Sequence, residues 1–226
     1  MKHRGVCAGP AALIAALLFL SSCGGPAANT GEQPAKVNQL TPEEAKKALY
    51  DKGIHYSQKT FYQTVVRNDI DTVKLFFAAG MDVNARGEFG ETALSSAAAS
   101  PDHLAMARLL LDKGADVNIS ADIGDSPLAI ALHGNNLELV KILLAKGADP
   151  NRASKSSYTP GTTPLMMAAR AGNMEIVKLL LAHNADVSQR DAHGESAVDY
   201  AAQAGQQAIV DFLGSAASTP GGEGSS

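Results

Sequence analysis

The chain has 226 residues, is 45% hydrophobic and 19% charged, and carries a formal net charge of -4 with 5% aromatic residues and no Trp. An acidic balance without a basic tract argues against nucleic acid as a partner and against recruitment by anionic lipid, since both require a cationic surface. So few aromatics leave a core to be built from Ala, Leu, Val and Ile, and small side chains packed closely suggest helices.

The N-terminus reads Lys2-His3-Arg4, then an apolar stretch from Val6 to Leu20 broken only by Gly9 and Pro10. At about fifteen residues it is shorter than the roughly 20 that cross a bilayer as a helix. A charged start, an apolar middle and the small residues Ser21 and Ser22 are the pattern of a secretory signal peptide, placed at residues 1–22. Leu20-Ser21-Ser22-Cys23 resembles the lipobox of bacterial lipoproteins. That resemblance implies that Cys23 is alkylated with diacylglycerol, becomes the first residue on cleavage and is acylated at its amine. Cys7 would leave with the signal peptide, so the mature chain would carry neither a free thiol nor a disulfide. Three acyl chains exceed the two signals that stable anchoring needs. Gly24 follows the cysteine where many lipoproteins kept in the inner membrane have Asp, so the resemblance implies sorting to the outer membrane, with the chain facing the periplasm. Residues 24–40, GGPAANTGEQPAKVNQL, lack any hydrophobic period. With Cys23 they are expected to form a flexible linker, reaching roughly 20–25 Å on average.

Thr41 can cap a helix that has Pro in its first turn and Glu near its positive end, and residues 41–58 are predicted as one helix. Its Ala45, Leu49 and Ile54 can cover an apolar face beyond it.

Two landmarks then recur in step. GMDVN at Gly80 returns as GADVN at Gly114, GADPN at Gly147 and NADVS at Asn184, and GETAL at Gly90 returns as GDSPL at Gly124, GTTPL at Gly161 and GESAV at Gly194. Thr92, Ser126, Thr163 and Ser196 can cap a first helix, with Pro127 and Pro164 in its first turn. A second helix follows with apolar residues at i, i+3 and i+4, as in Ile176, Leu179 and Leu180. Gly80, Gly114, Gly147 and Asn184 can end it in a left-handed conformation. No such unit buries its apolar faces alone, so the units must stack.

These residues resemble ankyrin repeats, in which G-x-TPLHxAAxxG precedes a second helix and GADVN. The resemblance spans about Lys59 to Leu213 and implies an all-α ankyrin-repeat solenoid of about five helix-turn-helix repeats with short β-hairpin loops, preceded by one helix. The repeat domain is placed at 59–214 and a disordered tail at 215–226. TFYQTVVRNDIDTVKLFFAAGMDVN looks like an N-terminal cap, and SAVDYAAQAGQQAIVDFLGSA like a C-terminal one. The family's His is replaced by Tyr62, Ser95, Ala129, Met166 and Asp199, which implies lost bonds to neighbouring loops. One extra residue falls around Ser100-Pro101-Asp102, and the hairpin NRASKSSYTPGTTP is four residues longer than the others. Such an insertion can be a binding device or a tolerated extension.

The sequence offers little chemistry. It holds no HExxH, no GxSxG and no phosphate-binding glycine loop, and His55, His103, His133, His183 and His193 stand far apart. No catalysis, no metal and no cofactor are expected. The resemblance implies protein binding through the hairpin tips and the ends of the first helices. On this sequence the tips are Arg86, Glu88, Phe89 and Glu91; Asp122, Ile123 and Asp125; Lys155, Tyr158 and Thr162; and Arg190, His193 and Glu195. Arg67, His133, Arg170 and Gln203 come from the helices. The expected function is a membrane-anchored adaptor or scaffold, monomeric, binding a protein partner; the alternative is an immunity or inhibitor lipoprotein that blocks a toxic periplasmic enzyme.

Overall fold

A computed structural model describes residues 39–87, 90–120, 124–156 and 159–217. The signal segment, Cys23, most of the linker and the tip residues Glu88, Phe89, Asp122, Ile123 and Tyr158 lie outside the described residues.

Helix α1, Pro42–Asp51, starts at a closed capping box: the Glu44 amide donates to Thr41 at 3.3 Å and the Glu44 carboxylate accepts from the Thr41 amide at 2.8 Å. Its buried Ala45 and Leu49 seat it on α3. Five helix pairs follow: α2 Gln58–Val66 with α3 Ile70–Ala78, α4 Ala93–Ala98 with α5 Leu104–Asp112, α6 Pro127–His133 with α7 Leu137–Ala145, α8 Pro164–Arg170 with α9 Met174–Ala182, and α10 Ala197–Gln203 with α11 Gln207–Ala217. The first members α2, α4, α6, α8 and α10 pack in succession as an inner row, while α5, α7 and α9 do so in an outer row. Between the rows lie Leu110, Leu139, Leu143, Leu165 and Leu180, essentially without solvent contact. Each element is therefore short and stable only in company.

Thr92, Ser126, Thr163 and Ser196 each accept from the amide three residues on, at 3.2–3.4 Å. The second helices carry caps the spacing argument overlooked: Asp69, Asn136 and Asn173 accept from Thr72, Leu139 and Ile176 at 3.1 Å. Helix α5 has none, and the extra residue there becomes a 3-10 turn over Pro101–His103. The aromatics are concentrated rather than absent from the core. Phe61 and Phe76 are buried in the first pair, with ring centroids 5.6 Å apart and edge to face. Helix α11 runs to Ala217, past the point at which the tail was expected to begin.

The residues standing where the family has His make other bonds. Ser95 Oγ accepts from the Thr92 amide at 3.0 Å, and Asp199 accepts from the Ser196 amide and hydroxyl at 2.8 and 2.6 Å. Tyr62 reaches the next repeat, its hydroxyl accepting from Ser96 Oγ at 2.7 Å.

The Asn of each DVN string forms a ladder between repeats. Asn84 Nδ2 donates to the Gly114 carbonyl and its Oδ1 accepts from the Asp116 amide. Asn118 does the same with Gly147 and Asp149, at 3.1 and 2.9 Å, and Asn151 with Asn184 and Asp186, at 2.9 and 2.7 Å. The ladder stops at Ser188, whose hydroxyl turns back to Asp186 at 2.7 Å. Asn118 spans 29 residues to its carbonyl partner and Asn151 spans 33, so the four inserted residues leave the joint unchanged and fall wholly on the hairpin side. Asn118→Ala is expected to cost about 1–2 kcal/mol in urea unfolding, through two bonds that water partly replaces. Ser188→Ala at the ladder's end should cost less than about 1 kcal/mol, and an equal loss at both positions would remove the ladder's role.

Candidate protein-binding face

The capping hydroxyls set a register for the inner row. Four residues after each stand Ser96, Ile130, Met167 and Tyr200, and seven after stand Ala99, His133, Arg170 and Gln203. Two clefts open between these positions. One, of about 240 Å³, is lined by Tyr62, Glu91, Ser96, Ala99, Asp125 and Ile130. The other, of about 260 Å³, is lined by Leu132, His133, Thr159, Thr162, Met167, Arg170, Ala171 and Tyr200.

The structure thus brings His133, Arg170 and Thr162 together, and Glu91 with Asp125. It corrects two of the sequence assignments. Thr162 is not an exposed tip residue: it is 2% exposed, its carbonyl accepts from the Ser154 amide at 2.8 Å, and its hydroxyl lies 3.2 Å from that of Tyr200. Arg67 is exposed but falls one residue outside the register: three residues before the caps of the second helices, Asp69, Asn136 and Asn173, stand Val66, His133 and Arg170, with Val66 49% exposed. Ser57 caps α2, but α2 has 9 residues where α6 and α8 have 7, so the count from that hydroxyl does not transfer.

The hairpins are turns tied by a few backbone bonds, as from Gly87 to Glu91 at 2.8 Å, Ser154 to Thr162 at 2.8 Å and Asp191 to Glu195 at 3.0 Å, with one isolated antiparallel bridge, Arg86 to Thr92, among the described residues. Their side chains largely fold inward. Arg86 donates to the carbonyls of Gly90 and Ser120 at 3.2 and 3.4 Å, the latter on the next hairpin. Asp125 accepts from the Ser154 hydroxyl and lies 3.5 Å from His133 Nε2. Glu195 accepts from Gln203 Nε2 at 2.6 Å. Arg190 donates to the Gly194 carbonyl at 2.8 Å and stands 3.8 Å from Asp199. Lys155, His193 and Arg170 are exposed, and Arg170 makes no side-chain hydrogen bond or ion pair among the described residues. Tyr200, Met167, Thr159 and Leu132 were missed by reading tips and helix ends alone. The four-residue step from each capping hydroxyl would have found Met167 and Tyr200.

The last hairpin is the most strongly organised electrostatically. Buried Asp191 accepts from the Glu195 and His193 amides at 2.8 and 2.9 Å and from the Tyr200 hydroxyl at 2.8 Å. Burial opposes its charge, but the Glu195 amide, the Tyr200 hydroxyl and the His193 amide hold its carboxyl below the usual range. Burial, with the bond to Asp191, raises the Tyr200 phenol. The Ser196 hydroxyl and amide lower Asp199, and the Ser188 hydroxyl and amide lower Asp186. A carboxylate depressed by folding adds stability above its unfolded value, near 3.9, and that stability disappears as pH falls through the folded value. Acidification is therefore expected to lower stability below about pH 4, and Asp199→Asn should flatten that slope in urea titrations at stepped pH. An unchanged slope would show that Asp199 is not linked to folding.

Among the described residues, no group of three or more His, Cys, Asp or Glu is placed to hold a metal, and no helix is long and apolar enough to cross a membrane.

Capped helix pairs in two rows, a hairpin at each joint and an inner row fronted by clefts define a repeat solenoid built for recognition. The family model for ankyrin repeats matches residues 27–121, 61–154 and 128–220, and the chain belongs to the ankyrin-repeat family. It is 32% identical over 124 residues to an ankyrin repeat-containing protein of Treponema pallidum, covering 54% of this chain and 41% of that one. It is 36% identical over 102 residues to human ankyrin repeat and SOCS box protein 6, covering 42% of this chain and 24% of that protein. Human BCL-6 corepressor-like protein 1 is 35% identical over 120 residues, covering 52% of this chain and 6% of that protein. The chain thus spans less than half the length of these relatives. Ankyrin repeats generally mediate protein–protein interaction, and the family is typically non-enzymatic.

Proposed function

We propose that the protein is a membrane-anchored adaptor or scaffold, tethered to a bacterial outer membrane through acylated Cys23, facing the periplasm and binding a protein partner as a monomer. The observation that carries the binding part is the pair of clefts in register along the inner row, walled by hairpin residues on one side and helix ends on the other. The anchoring part rests on Leu20-Ser21-Ser22-Cys23 directly after the apolar stretch and on Gly24. Partner contact is assigned to the clefts and to the tips with Phe89, Ile123, Tyr158 and His193, since aromatic and apolar anchors among polar neighbours carry interface energy.

The test is capture from a native membrane extract by the acylated protein and by the variant Phe89→Ala, Ile123→Ala, Tyr158→Ala and His193→Ala. One stoichiometric partner held by the wild type and lost by the variant supports the reading. Identical capture by both, or none, overturns the assignment to the tips. A partner that is an enzyme silenced on binding turns adaptor into inhibitor. In parallel, the wild type should incorporate labelled palmitate and Cys23→Ser should not; equal incorporation, or none in either, would overturn the anchor.

A further inference from the structure

We infer that the cleft between α6, α8 and α10 receives an acidic segment of the partner, with a Glu or Asp side chain paired to Arg170; this rests on the binding role proposed above and adds the chemistry of what is bound.

Reading the tips as partner-facing negative charge would predict a basic partner, and the geometry reverses that expectation around this cleft. Asp125 is committed to the Ser154 hydroxyl and to His133. Asp191 is satisfied by two amides and the Tyr200 hydroxyl, and Glu195 is held by Gln203. What these acids leave at the cleft is Arg170, exposed, with no hydrogen bond or ion pair among the described residues. A guanidinium presents a planar fork of N–H donors that matches a carboxylate in two parallel bonds. His133 stands on the same wall, its Nε2 3.5 Å from Asp125, so that carboxylate faces the imidazole and leaves the Arg170 guanidinium open.

Size and lining narrow the occupant. About 260 Å³ is below the usual range for a small-molecule site but fits a side chain or two of an extended peptide. Leu132, Met167 and Ala171 form the apolar part, against which the methylenes of a Glu can lie while its carboxylate reaches Arg170. Thr159 lies on the lengthened hairpin, between the paired Ser154 and Thr162, and lines the cleft. The lengthened hairpin thus becomes part of the recognition wall, with Ser154 fastening it to Asp125. One guanidinium in a cleft, on a chain without a basic tract, suits a single side-chain carboxylate and not the repeated phosphates of a nucleic acid.

The experiment pans a random dodecapeptide phage library on immobilised full-length protein. Wild type, Arg170→Met and the charge-matched control Arg108→Met, on the exposed face of outer helix α5, are compared side by side. The expected result is enrichment of Glu- or Asp-containing peptides by wild type and by Arg108→Met. The best of these should bind at least about tenfold more weakly to Arg170→Met in anisotropy titrations. Its Gln-substituted form should bind all three proteins equally weakly. Enrichment without acidic residues, an acidic preference that survives Arg170→Met, or one lost equally in Arg108→Met overturns the inference. If the capture experiment still yields a partner lost from the tip variant, the binding role stands and only the acidic-segment assignment falls. Failure of both removes the binding role itself.

Discussion

Leu143→Ala is expected to lower the unfolding free energy by about 2–5 kcal/mol, the range for emptying a packed leucine site. Leu143 has no solvent exposure and sits on α7, the middle helix of the outer row. The magnitude follows from position as well as burial. In a stack whose units touch only their neighbours, a cavity in the middle weakens both halves' hold on each other. A single cooperative transition in urea should therefore broaden or divide for this variant, while an equivalent loss at Leu213, on the last helix, should fray one end and keep the main transition sharp. A loss below about 1 kcal/mol at Leu143 would mean that the central joint relaxes to fill the space.

Gly161→Ala should be as damaging for a different reason. Gly161 has φ +82°, a region that costs an L side chain about 1–2 kcal/mol. A Cβ there would also lie 2.9 Å from the Ala192 amide nitrogen and 3.2 Å from Asp191 backbone atoms. Those neighbours are backbone of the next hairpin, joined to this one by the Ala192 amide bonding to the Pro160 carbonyl at 3.2 Å. The two hairpins would have to part, adding about 1–3 kcal/mol of overpacking. Gly194→Ala is the control: its φ is +81°, but a Cβ there meets nothing within 4 Å. Thermal or urea unfolding should place Gly161→Ala well below Gly194→Ala. Equal losses would show that only the dihedral matters.

The architecture was legible because capping and stop residues act locally. Thr92, Ser126, Thr163 and Ser196 cap where their spacing placed them, and Asn184 adopts φ +66° in the place of a glycine. Asn136 and Asn173, one residue ahead of their helices, carry the same capping signal, but they stand outside the two recurring strings that define the period. The ladder was less accessible. Asn84, Asn118 and Asn151 close the recurring strings, and nothing in one repeat tells that their amides also reach the next. The binding face was read least well. Whether Asp125 or Glu195 faces a partner or folds inward depends on where the neighbouring hairpin or helix puts Ser154 and Gln203. Arg67 slipped by one position because its unit has no TPL string and α2, capped by Ser57, has 9 residues where α6 and α8 have 7.

The Asn ladder bears on how such a chain can vary over generations. Because each rung fastens one joint directly to the next, position along the stack is reset at every repeat, whatever the length of chain between. The four residues gained before Thr162 and the one gained near Pro101 were absorbed without shifting any later unit. Insertions and deletions at the hairpins are thus nearly neutral for folding and fall beside the clefts of the inner row. The chain can try new contours there by changing length, a larger step than point substitution allows, while the scaffold behind keeps its register.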